Sequence, residues 1–150
     1  MKNSVLLLFA VLIIGCSASN PLDYVTKSTP HGNLTIRLNN ATLLNNNNVG
    51  QNWTNGLYID INGNITNVTN LNYEYNVNVP ANAIVEIVAW AKENDKYPDF
   101  GSATLRLTTL DINPGKIINY DSVVTVRENR GRYSGNTAQW RFTYSVERTL

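Results

Sequence analysis

An alternation of apolar and polar residues with a period of two runs through most of this sequence. Across residues 71–79 the odd positions hold Leu71, Tyr73, Tyr75, Val77 and Val79, while the even positions hold asparagine or Glu74. Successive side chains of a β-strand point to opposite faces, so this spacing separates an apolar face from a polar one. Similar β-rich runs occur at 34–38, 57–61, 84–91, 103–108, 123–127 and 138–146, and residues 42–44 either extend the first or form a strand of their own. Asn62-Gly63, Pro114-Gly115 and Ser134-Gly135 supply turn chemistry between them. No segment carries the three-to-four spacing of an amphipathic helix. Seven to eight strands in a chain of this length predict an all-β fold, an antiparallel β-sandwich that is eight-stranded at the upper count.

The first residues organise the chain. Lys2 precedes an unbroken apolar run at 5–14, the charged-then-hydrophobic layout of a secretory signal peptide. The run is shorter than the roughly 20 apolar residues that span a bilayer. Small residues at 15–19 predict cleavage after Ala18 or Ser19, which divides the chain into a signal at 1–19, an extended leader at 20–31 and one domain at 32–150. Ile13-Ile14-Gly15-Cys16 also resembles a bacterial lipobox, in which Cys16 would be lipidated and anchor the protein. Cys16 is the only cysteine, so no intrachain disulfide forms on either reading. The roughly 130 residues left after the signal can bury about two-thirds of their surface and fold without metal or disulfide.

Charge excludes little but directs the reading. The formal net charge of +1 gives no global pull toward nucleic acid or an anionic membrane, and no nucleic-acid partner is expected. Only 15% of residues are charged, so asparagine and threonine must supply the polar surface. Arg127, Arg130, Arg132, Arg141 and Arg148 cluster late, but Asp121, Glu128 and Glu147 are interleaved, which reads as a solvated mixed-charge surface.

In order, several segments resemble a C2 domain, the module best known for calcium-dependent phospholipid binding. Gly32-Asn33-Leu34-Thr35-Ile36-Arg37-Leu38 followed by Ala41-Thr42-Leu43-Leu44 resembles the family's opening strand. Leu57-Tyr58-Ile59-Asp60-Ile61 is similar to its next strand, and Asn72-Tyr73-Glu74-Tyr75-Asn76-Val77 to its Asn-Pro-x-Trp-Asn-Glu segment without the proline. Residues 84–110 resemble a strand, a charged loop ending in Asp99, and a glycine, Gly101, opening the next strand. The resemblance covers nearly all of the domain.

It implies a calcium site at the loops, with Glu93, Asp95 and Asp99 as weak candidate ligands. Calcium takes six to eight oxygens, so carboxylates must converge from two loops. Counting back from Asp99 by the family's spacing gives Ala91 and Glu93, and strand parity agrees, with Val85, Ile87, Ala89 and Ala91 sharing the inward face while Glu86 points out. One family aspartate is therefore alanine, and the first loop offers only asparagines at 45–52 with Asn55 or Gly56 before the tyrosine strand. Calcium dependence is expected to be weak or lost.

Further candidates come from the residues themselves. Trp53 stands in a polar stretch and, with Asn55, is a candidate ligand contact, whereas Trp140 alternates with Phe142, Tyr144 and Val146 and reads as core. Asn33, Asn40, Asn52, Asn64 and Asn67 each head an Asn-x-Thr glycosylation sequon, the last three of these on loops or strand ends. His31 is the only histidine and lacks a nucleophile partner, and acids such as Glu74 and Glu86 read as strand-surface residues, so the chain is not expected to be an enzyme. Two functions follow. The first is a secreted binding module that meets membrane lipid or an extracellular protein through loops at one end. The second is a carbohydrate-binding or cell-adhesion protein laying Trp53, Tyr58, Tyr73 and Tyr75 against a polysaccharide.

Overall fold

The computed structural model of the protein describes residues 31–150. The signal peptide, the lipobox with Cys16 and the leader as far as residue 30 lie outside the described residues. The rest forms two four-stranded antiparallel sheets packed face to face, with strand order β4-β1-β8-β7 in the first and β3-β2-β5-β6 in the second. The strands are β1 (His31–Asn46), β2 (Trp53–Ile61), β3 (Asn64–Val68), β4 (Glu74–Pro80), β5 (Ile84–Glu93), β6 (Phe100–Thr108), β7 (Ile117–Arg127) and β8 (Thr137–Thr149).

Period-two patterning builds the core. Leu57, Ile59 and Ile61 of β2 and Val85, Ile87, Ala89 and Ala91 of β5 face inward and meet Val124 and Val126 of β7 and Ala138, Trp140, Phe142, Tyr144 and Val146 of β8, all buried. In β1 the inward set is Leu34, Ile36 and Leu38, but beyond them it is Ala41 and Leu43 that pack on the core. The phase slips by one residue because the register with β8 shifts between Leu38 and Asn40. A β-bulge there absorbs one residue and returns the apolar side chains to the inner face.

Several strands differ from the sequence expectation, and β2 begins at Trp53 rather than at 57. The alternation at 71–79 becomes a strand only from Glu74: Asn72 adopts a left-handed φ of 62° and its N–H donates to Leu38 O at 2.8 Å, at the bulge. Leu71 and Tyr73 therefore leave the sheet and are exposed. β3 was not foreseen, because a short edge strand with one buried residue, Val68, carries no alternation. β7 begins at Ile117 rather than at 123, through Ile118 and Tyr120, which pack against the core.

Antiparallel pairing sorts the connections to two ends. The β1–β2, β5–β6 and β7–β8 loops meet at one end, here the tip: Asn94 N donates to Asn52 O at 2.7 Å, and Asn47 N to Thr137 O at 3.1 Å. At the opposite end, the base, a 3-10 turn at Thr109–Asp111 closes the sandwich. Arg148 follows Val146 in the inward phase and is buried there, donating from Nη1 to Thr109 O at 3.1 Å.

Candidate functional site: the loop tip

The tip is organised by acids turned inward. Glu93 ends β5 in the inward phase and is 2% exposed, its carboxylate filling the space where Gly50 lacks a side chain. Gly50 adopts a φ of 143°, so both its backbone and the room beside it require glycine. Glu93 Oε2 accepts the Asp95 N–H at 3.0 Å. Burial raises the Glu93 pKa above the usual glutamate range; the Asp95 N–H opposes this, while the negative charges of Asp95 and Glu128 add to it.

Asp99 is also buried; its Oδ1 accepts from Asn129 N at 3.2 Å and Asn129 Nδ2 at 2.9 Å, which ties the β5–β6 loop to the β7–β8 loop. Its Oδ2 is buried with no hydrogen-bond partner. Glu128 continues the inward phase of Val124 and Val126 and accepts the Arg130 N–H at 3.3 Å. Asp95 alone of these acids is exposed, and it accepts the Tyr97 N–H at 2.6 Å.

Glu93, Asp95 and Asp99 thus share one loop region, where Glu93 and Asp95 accept backbone N–H groups of their own loop and Asp99 Oδ1 binds Asn129 of the β7–β8 loop. Among the described residues no group of three or more His, Cys, Asp or Glu side chains is placed to hold a metal ion. A calcium ion needs six to eight oxygens directed at one point. The donors at the tip do not fit it, and no calcium-dependent step is assigned to them.

Trp53 and Asn55 lie on β2 rather than in a free loop. Both share the inner-face phase of Leu57. Trp53 is half-buried, meets Trp140 edge-on at 5.7 Å and donates Nε1–H to Gly50 O at 3.2 Å. Asn55 lies opposite Ala91, half-buried in the sheet. The asparagine run is anchored as well: Asn46 Oδ1 accepts the Val49 N–H at 2.9 Å, and Val49 is buried in the core.

Apart from Asp95 and the loop asparagines, what the tip presents outward is cationic and aromatic. Lys96, Arg127, Arg130 and Arg132 are exposed. Tyr97 is 49% exposed, with Lys96 Nζ 5.4 Å and the Arg130 guanidinium 5.2 Å from its ring centroid. Next along the β7–β8 loop, Arg132 stacks on the exposed ring of Tyr133 at 4.8 Å. Such contacts hold a cation at a ring face without neutralising it. A depression of about 270 Å³ is lined by Lys96, Tyr97, Pro98, Asp99, Asn129 and Arg130. Sequence reasoning missed this patch because it balanced the late arginines against Glu128. The available signal was phase: Glu128 follows Val124 and Val126 on the inward side and does not reach the surface.

The other sequence candidates are dispersed. Tyr58 lies on the outer face of the second sheet, Tyr73 in the β3–β4 connection and Tyr75 on β4 of the first sheet, so with Trp53 they form no common strip. Tyr58 instead stacks on Trp90 at 5.1 Å, and Trp90 on Phe100 at 6.4 Å. Trp90, between them on the middle strand, is only 6% exposed. Glu74 pairs with Arg37 on the first sheet and Glu86 with Arg106 on the second, which separates the two acids by the whole sandwich. His31 opens β1 at the base, exposed. All five sequon asparagines are exposed; Asn33 and Asn40 lie on β1, Asn52 in the β1–β2 loop, and Asn64 and Asn67 within β3. No protein-family model matches the chain, and no curated protein matches it.

Proposed function

We propose that this protein is a secreted, non-enzymatic, C2-like binding module whose β5–β6 and β7–β8 loops meet anionic lipid head groups without calcium. The observation that carries this reading is the sorting of charge at the tip: Glu93, Asp99 and Glu128 are buried, while Lys96, Arg130, Arg132 and the rings of Tyr97 and Tyr133 face solvent. Inward acids are screened from a ligand by the protein they hydrogen-bond to. Outward cations reach phosphate oxygens directly, each contributing about 1 kcal/mol beside an anionic surface. Tyrosine suits the same boundary, having an apolar ring and a polar hydroxyl. With a net charge of +1 the attraction is local to this end rather than a property of the whole surface. Two stacked antiparallel sheets with the β1–β2 and β5–β6 loops at one end support the C2-like part of the reading.

Flotation with phosphatidylserine-containing vesicles, in EDTA and in calcium, tests it. The protein is expected to float with anionic vesicles equally in both, and to stay behind with purely zwitterionic ones. The double variant Lys96→Ala/Arg130→Ala is expected to lose most of this binding. Failure to float with anionic vesicles in either condition refutes the lipid reading.

A further inference from the structure

The outer face of the second sheet holds a second feature that the tip does not use. Strand register lays its side chains out in rows. Asn67 of β3 is opposite Tyr58 of β2, and Tyr58 is opposite Val88 of β5. In the adjacent row Ile65 is opposite Asp60, and Asp60 is opposite Glu86. Tyr58, Asp60, Ile65, Glu86 and Val88 line a depression of about 320 Å³, and Ile65 is 69% exposed. An apolar hollow on a solvent face costs free energy unless something covers it.

Asn67, opposite Tyr58 and two residues from Ile65 of this hollow, is exposed in the sequon Asn67-Val68-Thr69. Its phase is fixed by the neighbouring Val68, which is buried opposite Leu57 on the inner face and so turns Asn67 outward beside Tyr58. Directly opposed side chains of antiparallel strands have Cβ atoms about 5 Å apart. A sugar on the Asn67 amide therefore starts within contact range of the Tyr58 ring. Two other sequons are engaged elsewhere: Asn52 Nδ2 already donates to Asn94 O at 3.3 Å, and Asn33 Oδ1 accepts from Asn78 on the polar face of the first sheet.

We infer that Asn67 is N-glycosylated and that the first sugar of its glycan packs over Tyr58, Ile65 and Val88, covering the hollow. In the attachment, Asn67 Nδ2 bonds to the anomeric carbon of a polyprenyl-pyrophosphate-linked oligosaccharide. The anomeric C–O bond breaks, the polyprenyl pyrophosphate leaves, and one amide proton is released. The C–H face of a pyranose is apolar and slightly positive, which matches the negative face of a tyrosine ring. This inference rests on the secretory part of the proposed function and not on lipid binding.

The full chain is expressed in a eukaryotic host with a secretory pathway, and occupancy is read by mass spectrometry after peptide N-glycosidase in heavy-oxygen water. Asn67 is expected to be occupied. Enzymatic removal of the sugar, or Thr69→Ala, is expected to lower Tm by several degrees and raise binding of an apolar dye severalfold. In Tyr58→Leu, sugar removal is expected to change Tm much less than in the wild type. A chain bearing sugar elsewhere but bare at Asn67 overturns this inference alone. Occupied Asn67 with Tm and dye binding indifferent to deglycosylation overturns the packing. A chain without sugar on any sequon overturns the secretory reading and this inference with it.

Discussion

Glu93 holds its proton to a higher pH in the folded protein than in the unfolded chain, because burial and the neighbouring negative charges disfavour its anion. Its contribution to stability is complete below the ordinary glutamate pKa and is lost as pH rises through the raised value. Asp111 runs the other way: the Thr108 N–H and hydroxyl hold it below the usual aspartate range, so its contribution is present at neutral pH and lost on acidification. In urea titrations from mildly acidic to neutral pH, Glu93→Gln is expected to remove the part of the decline in stability that Glu93 causes. Gly50→Ala drives a methyl group into the Glu93 carboxylate at a positive φ, and is expected to lower stability by roughly 1–3 kcal/mol in the same assay. Arg148→Ala leaves the Thr109 carbonyl without its charged donor and opens a void at the base, for an expected loss of about 2–3 kcal/mol. Phase along a strand made much of this residue-level placement legible: Val85, Ile87, Ala89 and Ala91 were expected on the inner face and are there, and Glu93 continues the same phase. Trp53 was expected in a polar loop and instead opens β2, because an aromatic flanked by polar residues looks unpartnered until Trp140, 87 positions later in the chain, is brought against it.

Strands were more legible than their ends. Long apolar, β-rich runs such as that within Ile84–Glu93 identify themselves, since successive positions repeat the same demand for burial. β3 escaped because it leans on β2 along one edge only, and its identity comes from the turn before it. That turn, Asn62-Gly63, has φ values of 54° and 87°, the two consecutive positive angles of a type I′ hairpin, whose twist matches the flanking strands. Replacing the pair with Ala-Ala is expected to destabilise the hairpin by roughly 1–3 kcal/mol. Hydrogen exchange should then accelerate at β3 amides facing β2, while β5 and β8 amides remain protected. The β1 bulge was hidden for a related reason. The sequence shows the apolar phase slipping after Leu38, but a slip reads equally as a strand ending there or a new one beginning.

The molecule as a whole joins distant parts of the chain, since β1 pairs with both β4 and β8. Closing such loops precedes any return from their contacts, so folding is expected in the millisecond-to-second range, as one cooperative transition in stopped-flow and equilibrium measurements. The two-sheet architecture could be foreseen from strand count and length. The order of strands within each sheet could not, because alternation fixes which face a residue occupies and says nothing of which strand lies beside it. The cationic tip was hidden for a related reason: it depends on the β5–β6 and β7–β8 loops, distant in sequence, meeting at one end. Association with anionic vesicles is expected to fall as salt rises from about 50 to 500 mM, since the exposed cations are screened over a Debye length of about 10 Å or less through most of that range.

Asn33 pairs with Thr149, so the polypeptide enters its first strand and leaves its last one at the base. The 16 residues of β1 then carry it about 50 Å to the other pole. A fluorescent protein, purification handle or surface tether joined at either side of the domain therefore sits a full molecular length from Tyr97 and Arg130. Immobilised or labelled forms keep their cationic pole unobstructed, and single-molecule force can be applied through both attachment points without touching it.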